Sequence, residues 1–233
     1  MDKFIASYHN YSIWQLSENG LMDLAQFVVY ENYKHHQMVE KLNNDFQSEI
    51  ISVYNEEMRY FSRSDTFVAK SKDNDIIGAI RLMNWDRKEA LPMHELFDIG
   101  SKYDIPLEYE NTPIWHIGRL AISNKVGRYG IVLFKLLLVY AISPICKQKK
   151  GIILAECDSK LLKTLQIMGM QVKPLGKGAH YLGSETIPVY ATYNGVKRFF
   201  FNNHSLMCNS QVNTFSDIHF QFSKQKHTLV YGL

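Results

Sequence analysis

Two ionisable side chains sit inside a stretch that is otherwise hydrophobic. In Ile114-Trp-His-Ile-Gly-Arg-Leu-Ala-Ile122, His116 and Arg119 interrupt an apolar run of strand character. An imidazole titrates near ~6.5 and can accept a proton at neutral pH, which makes His116 a candidate general base. The alternative is a histidine hydrogen-bonded within a sheet. Arg119 cannot shed its charge, so it must face a carboxylate, of the protein or of a ligand. On a regular strand, residues three apart point to opposite faces, and only a bulge would change that. Directly after the run come Ser123-Asn-Lys-Val-Gly-Arg-Tyr-Gly130 and a long apolar stretch. A strand, a Gly- and Arg-containing turn and a helix start together form a cradle for a phosphorylated arm. The N–H groups from Val126 to Gly130 would lie at the positive end of the helix dipole, with Lys125 and Arg128 adding charge.

The elements that must position these residues follow from periodicity. Tyr11 to Leu16 reads as a first strand, and Leu21–Tyr33 and Asp45–Glu57 as two amphipathic helices. Thr66–Ser71 and Ile76–Leu82 form a hairpin across the Asp/Asn-rich turn at 72–75. The stretch 84–112, with a short helix at Pro92–Ile99, is long enough to be a substrate-facing insertion. After the 114–122 strand, a helix is expected from Gly130 to Ser143, stopped by Pro144. Gly151–Cys157 is a strand apolar on both faces, and Ser159 is placed to cap a helix that Gly169 ends. Strands are expected around 171–173 and 187–193. Val196–Phe201 fits a helix or a strand, and Asp217–Phe222 alternates like an edge strand. Helices alternating with strands late, and hairpins early, give an α/β (α+β) fold with a mixed central sheet flanked by helices.

Composition excludes several classes. At 233 residues and 46% hydrophobic, the chain suits one domain with a substantial core. A net charge of +3 is too mild to argue for nucleic acid. Between Lys147 and Lys177, however, seven lysines face only Glu156 and Asp158, a basic segment suited to an acidic partner or to solvent. Three cysteines make neither a disulfide framework nor a zinc motif, so reduced thiols in a cytoplasmic protein are expected. His35-His36 and His94-Glu95 have no metal-ligand spacing, and no metal is expected. The apolar run Ile131–Cys146, holding Lys135 and Pro144, reads as a buried helix rather than a membrane span.

Three segments carry a family resemblance. Ile80-Arg-Leu-Met83 with Leu91-Pro-Met-His-Glu-Leu-Phe-Asp98, then Trp115-His-Ile-Gly-Arg-Leu-Ala121, then Gly178-Ala-His-Tyr-Leu-Gly-Ser-Glu-Thr-Ile-Pro-Val189 occur in this order. Together they resemble the GNAT acyltransferases, and within them the acyl-homoserine-lactone (autoinducer) synthases and the N-acyl amino acid synthases. His116 stands where the family strand usually has Glu. The Arg…Phe…Trp…Asp signature that serves S-adenosylmethionine in lactone synthases is not visible around 28–34. The resemblance therefore points to the amino-acid-acylating relatives. It implies a GNAT-like domain at 1–202 with a short C-terminal extension at 203–233.

The implied reaction is transfer of a medium or long fatty acyl group from an acyl-phosphopantetheine thioester to the amine of an amino acid or similar acceptor. Acyl carrier protein or acyl-CoA would bring the thioester as co-substrate, with no permanently bound cofactor. His116 would take the amine's proton. Arg119 would shape the site through an ion pair or bind an acceptor carboxylate, and Arg81 is the matching candidate on the preceding strand. The backbone amides of Leu120, Ala121 and Ile122 would hold the pantetheine arm and polarise the thioester carbonyl. Lys125, Gly127, Arg128 and Gly130 would hold phosphate. Tyr181 or Tyr190 would stand in for the usual general-acid Tyr. The strands at 114–122 and 151–157 would splay around the acyl chain, the 147–177 lysines would dock the carrier protein, and a lipid product would meet a membrane surface. Two alternatives remain open here: an acetyl-CoA-dependent small-molecule acetyltransferase, and a catalytically silent acyl-ligand or partner-binding domain.

Overall fold

A computed structural model describes residues 1–35, 46–97, 112–181 and 184–207. The expectations for 98–111, for Cys208, for the 217–222 strand and for the rest of the C-terminal extension lie outside these residues. The chain begins with a hairpin, β1 (Lys3–Ser7) and β2 (Tyr11–Gln15), followed by helices α1 (Leu21–His35) and α2 (Phe46–Tyr60). A second hairpin, β3 (Ser64–Ser71) and β4 (Ile76–Trp85), leads through α3 (Pro92–Phe97) to β5 (Ile114–Ile122). Helix α4 (Gly130–Gln148) crosses over to β6 (Ile152–Cys157). Then come α5 (Ser159–Ile167), the short β7 (Lys173–Pro174), β8 (Ala179–Tyr181), β9 (Ser184–Thr192) and α6 (Tyr193–Asn203).

The strands run β1-β2-β3-β4-β5-β6-β9-β7 in one sheet, with β8 paired to β9. All pairings are antiparallel except β5 with β6. That exception follows from the connection, since a whole helix separates β5 from β6 and returns the chain to the same end. Helix α1 covers one face, packing Leu21, Leu24 and Val28 against Val68 and Ala79, with Tyr54 of α2 in the same cluster. Helices α4 and α6 cover the other, packing Leu133, Leu137, Val196 and Phe199 against Ile80, Leu82, Ile117 and Ile153. Helix α4 and its preceding turn (124–148) are long and apolar enough to cross a bilayer, but 61% of the apolar window is buried inside the protein.

Several expectations are corrected. β1 was not anticipated, because its exposed edge position leaves no clear apolar alternation. Helix α4 does not stop at Pro144 but continues to Gln148. Proline inside a helix costs about 3 kcal/mol. Continuing the helix buries Ile145 and Cys146 to 0% and 5% exposure, and burying one such apolar side chain returns about 1.5–3 kcal/mol. Packing therefore overrides the breaker. The cap of α5 is Asp158, whose carboxylate accepts the Leu161 N–H at 2.7 Å, and Ser159 is already helical. β7 begins at Lys173, two residues later than the expected start at 171. Val196–Phe201 is helical, with Thr192 accepting the Gly195 N–H. The packed body extends through Met207, where the Tyr8 hydroxyl donates to the Leu206 carbonyl at 2.8 Å.

Candidate active site

β5 carries the site, and one irregularity in it decides the geometry. In its pairing with β4, Ala79 faces Ala121 but Arg81 faces Gly118, so β5 holds one extra residue. The bulge is absorbed at Arg119, which adopts φ +57°. A non-glycine residue there is strained by roughly 1–3 kcal/mol and needs surrounding contacts to hold it. Its effect is to reverse the alternation. Ile117, Leu120 and Ile122 pack toward α4, whereas His116, Arg119 and Ala121 face α1 and α2. His116 and Arg119 therefore share a face, as a bulge would allow and a regular strand would not.

On that face they meet Arg81 and three carboxylates. Glu57 Oε1 accepts from Arg81 Nη1 at 2.5 Å and from Arg119 Nε at 2.7 Å. Glu56 Oε1 lies 2.6 Å from Arg119 Nη2 and 3.3 Å from Arg81 Nη1. The Tyr60 ring lies beneath the Arg81 guanidinium, 5.8 Å away. Arg81 Nη2 is 3.2 Å from His116 Nδ1, and His116 Nε2 is 2.9 Å from Glu156 Oε2. A guanidinium can only donate, so Nδ1 accepts and the ring proton sits on Nε2, donated to Glu156. His116 is thus buried with both nitrogens engaged. Gly118 makes room for this: a Cβ there would lie 3.3 Å from His116 Cε1 and 3.4 Å from Arg81 Nη2.

Burial pulls the Glu156 carboxyl up, but the hydrogen bond from His116 and the charges of Arg81 and Arg119 outweigh it and hold the group below the ordinary range. Glu56 is likewise lifted by burial and brought lower by the Arg119 and Arg81 guanidiniums. A carboxylate whose pKa is depressed in the fold stabilises it above the ordinary value, 4.5 here, and that contribution is lost as pH falls through the lower, folded value. The melting temperature is expected to drop as pH is lowered from about 6 to about 3, and Glu156→Gln is expected to make the drop shallower. Differential scanning calorimetry across that range checks it.

β5 and β6 pair only from Ile114–Ile117 against Ile152–Ala155 and then diverge. Into the gap opens a cavity of about 620 Å³ that passes through the sheet. Its α1 side is polar, lined by Glu31, Lys34, Glu56, Arg81, His116 and Glu156. Its other side is apolar, with Phe134, Leu138, Ala155, Leu165, Val189 and Val196. At the mouth, Lys34 Nζ donates to Asn124 Oδ1 at 2.7 Å, linking the end of α1 to the start of the turn after β5. Ser123 N–H donates to Ile77 O on β4, so by alternation the Ala121 N–H also faces β4 and those of Leu120 and Ile122 face the gap. Cys157 lines the cavity too, but burial, with Asp158 and Glu156 nearby, pushes its thiol up to about 12. It is no nucleophile at neutral pH.

The structure brings together Arg81, His116, Arg119, Leu120, Ala121 and Ile122 on the cavity wall. It leaves Lys125, Gly127, Arg128 and Gly130 off that wall, which reaches Asn124. They lie in a 3-10 turn, Asn124–Tyr129, kinked at Gly127, and at the start of α4. Amides here are spent locally, Lys125 on Ser123 Oγ, Val126 on Ser123 O and Gly130 on Gly127 O. Tyr190 lines the cavity, and the Tyr181 side chain lies outside the described residues. The seven lysines of 147–177 are all exposed but do not form one face. Lys147, Lys149 and Lys150 sit at the far end of the 19-residue α4, roughly 28 Å from its start beside the mouth. Lys160 alone among the seven lines the cavity.

Sequence reasoning missed Glu56, Glu57 and Glu156. Glu57 occupies the buried face of α2 in the spacing Ile50, Val53, Glu57, Tyr60, and Glu156 lies within an apolar strand. A charge in an apolar pattern was the same signal that singled out His116.

Comparison with solved structures decides the fold. FeeM, an N-acyl amino acid synthase from uncultured soil microbes, superposes with a TM-score of 0.55 at 11% identity, over 84% of this chain and 97% of FeeM. FdhC, a nucleotide-linked sugar GNAT, gives 0.51 at 14% identity over 88% and 99% of the two chains. The chain has the GNAT fold. A GNAT-family acetyltransferase from Staphylococcus aureus Mu50 gives 0.50 at 14% identity over 78% and 99%. No family model matches the sequence, and no curated protein does. The mixed sheet and its flanking helices are thus GNAT features held in a sequence far from its structural neighbours.

Proposed function

We propose that the protein is an N-acyltransferase that moves a medium or long fatty acyl group from a phosphopantetheine thioester, on acyl carrier protein or CoA, to the amine of an amino acid or a similar small acceptor. The observation that carries this reading is the cavity: it crosses the sheet at the β5–β6 gap and is apolar on one side and ionic on the other. The acyl chain fits the apolar side, between Leu138, Ala155 and Val189, and the acceptor fits the ionic side. The outward N–H groups of Leu120 and Ile122 suit the pantetheine arm and the developing oxyanion. Glu156, backed by His116, takes the proton from the acceptor ammonium, which refines the role assigned to His116 alone. The freed lone pair attacks the thioester carbonyl, the C–N bond forms, the C–S bond breaks, and the nitrogen's second proton reaches the departing sulfur through solvent. An acetyl group would leave the apolar side unfilled, so the longer chain is the favoured donor.

Mass spectrometry of lipid extracts from cells overexpressing the protein is expected to show a new N-acyl species. Release of free thiol from acetyl-CoA alone would replace this reading with the acetyltransferase one, and release from no thioester would favour a silent ligand-binding domain. Ala155→Phe, which narrows the apolar side, is expected to shift the preferred acyl chain to shorter lengths. Competition among mixed-length acyl thioesters measures that shift.

A further inference from the structure

We propose that the acceptor is a cationic amine with no carboxylate beside it, rather than an α-amino acid. This rests on the acyl-transfer reading and follows from a charge inventory of the ionic side of the cavity. An α-carboxylate lies one carbon from the reacting amine, so it would have to enter the same buried region and find a cation there. The two cations in that region are already matched. Arg81 and Arg119 both donate to Glu57, and both lie within ion-pair distance of Glu56. His116 adds no charge in the observed arrangement, because Arg81 occupies its Nδ1 and its Nε2 proton goes to Glu156.

Glu156 is left over. Its side chain is 14% exposed and lines the cavity, and Glu56, 22% exposed, lines it as well. Both carboxyls are held toward the ionised form. Among the described lining residues, the remaining side chains able to carry positive charge are Lys34, His35 and Lys160. Lys34 keeps its charge but stands at the exposed mouth, donating to Asn124, and His35 and Lys160 are exposed to solvent. The buried region therefore attracts an ammonium and repels a carboxylate, and Glu156 both binds the ammonium and removes its proton. A second cationic or polar group further along the acceptor would extend toward Glu31 and Asn32, which line the α1 wall.

The test uses acceptor pairs that differ only by the carboxylate: tyramine and tyrosine, histamine and histidine, agmatine and arginine. The full chain is supplied with dodecanoyl thioesters of acyl carrier protein and of CoA, with free-thiol release and product mass as readouts. In each pair the amine is expected to have the larger kcat/KM, by about tenfold or more. Equal or better turnover of the amino acids would overturn this inference while leaving acyl transfer to amines in place. Absence of thiol release with every acceptor would overturn both.

Discussion

Glu57→Ala is expected to lower the stability of the protein by about 3–5 kcal/mol, the usual effect of removing one partner from a buried ion pair. At the ~2–4 °C per kcal/mol typical of a chain of this length, the melting temperature should fall by roughly 6–20 °C. Removing this carboxylate strands positive charge in the interior. Glu57 is 2% exposed, and one of its oxygens receives both Arg81 and Arg119. Arg81 is itself 1% exposed and cannot deprotonate. Glu56 reaches both guanidiniums through Oε1, but at 3.3 Å from Arg81 it does not replace the lost partner. Glu57 also holds Arg119 against its strained backbone, so the bulge and the orientation of β5 beyond it depend on this carboxylate. Urea unfolding of Glu57→Ala beside Glu57→Gln measures the effect, and a loss below about 1 kcal/mol, the range of exposed ion pairs, would show that the cluster is not acting as a buried unit.

Glu156→Gln is expected to reduce kcat by about 10²- to 10⁴-fold, the usual contribution of a positioned proton acceptor, with little change in fold. The substitution keeps the shape of the side chain and an oxygen able to accept from His116 Nε2, and removes only the charge that takes the acceptor's proton. Single-turnover thiol release isolates the chemical step from donor binding. His116→Ala would leave Glu156 without its 2.9 Å partner and is expected to lower the rate less than Glu156→Gln does. Unchanged turnover in Glu156→Gln would move the proton acceptor elsewhere on the cavity wall. A loss expressed in KM alone would assign Glu156 to binding.

Much of this site was legible because charges are conspicuous in apolar runs. The bounds expected for β5 and the candidates His116 and Arg119 came directly from such a run, whereas the splay of 114–122 from 151–157 came only from the family resemblance. The relation between the two side chains was not legible. Strand alternation puts them on opposite faces, and no residue type in Ile117-Gly-Arg-Leu announces that an extra residue will be absorbed at Arg119. The carboxylates were missed for a different reason. Glu56 and Glu57 are adjacent in a helix full of polar residues, where the spacing Ile50, Val53, Glu57, Tyr60 marks Glu57 as the buried one but names none of its partners. The basic 147–177 segment misled because sequence proximity was read as spatial proximity. A helix of α4's length carries Lys147 to the opposite end of the sheet from Asn124. Pro144 misled because a local breaking preference was weighed without the burial of Ile145 that opposes it.

The gap between β5 and β6 also bears on how the protein avoids self-association. Wherever two neighbouring strands part company, their backbone groups become unpaired rims of the kind that recruit further chains into aggregates. In most sheets such rims lie at the perimeter and need charges, prolines or covering loops. Here the parting begins after Ile117 and Ala155, in the middle of the sheet, with α1 lining one side of the opening and α4, α5 and α6 the other. The unpaired backbone rims of this sheet interior are thus flanked by the protein's own helices rather than left at its perimeter.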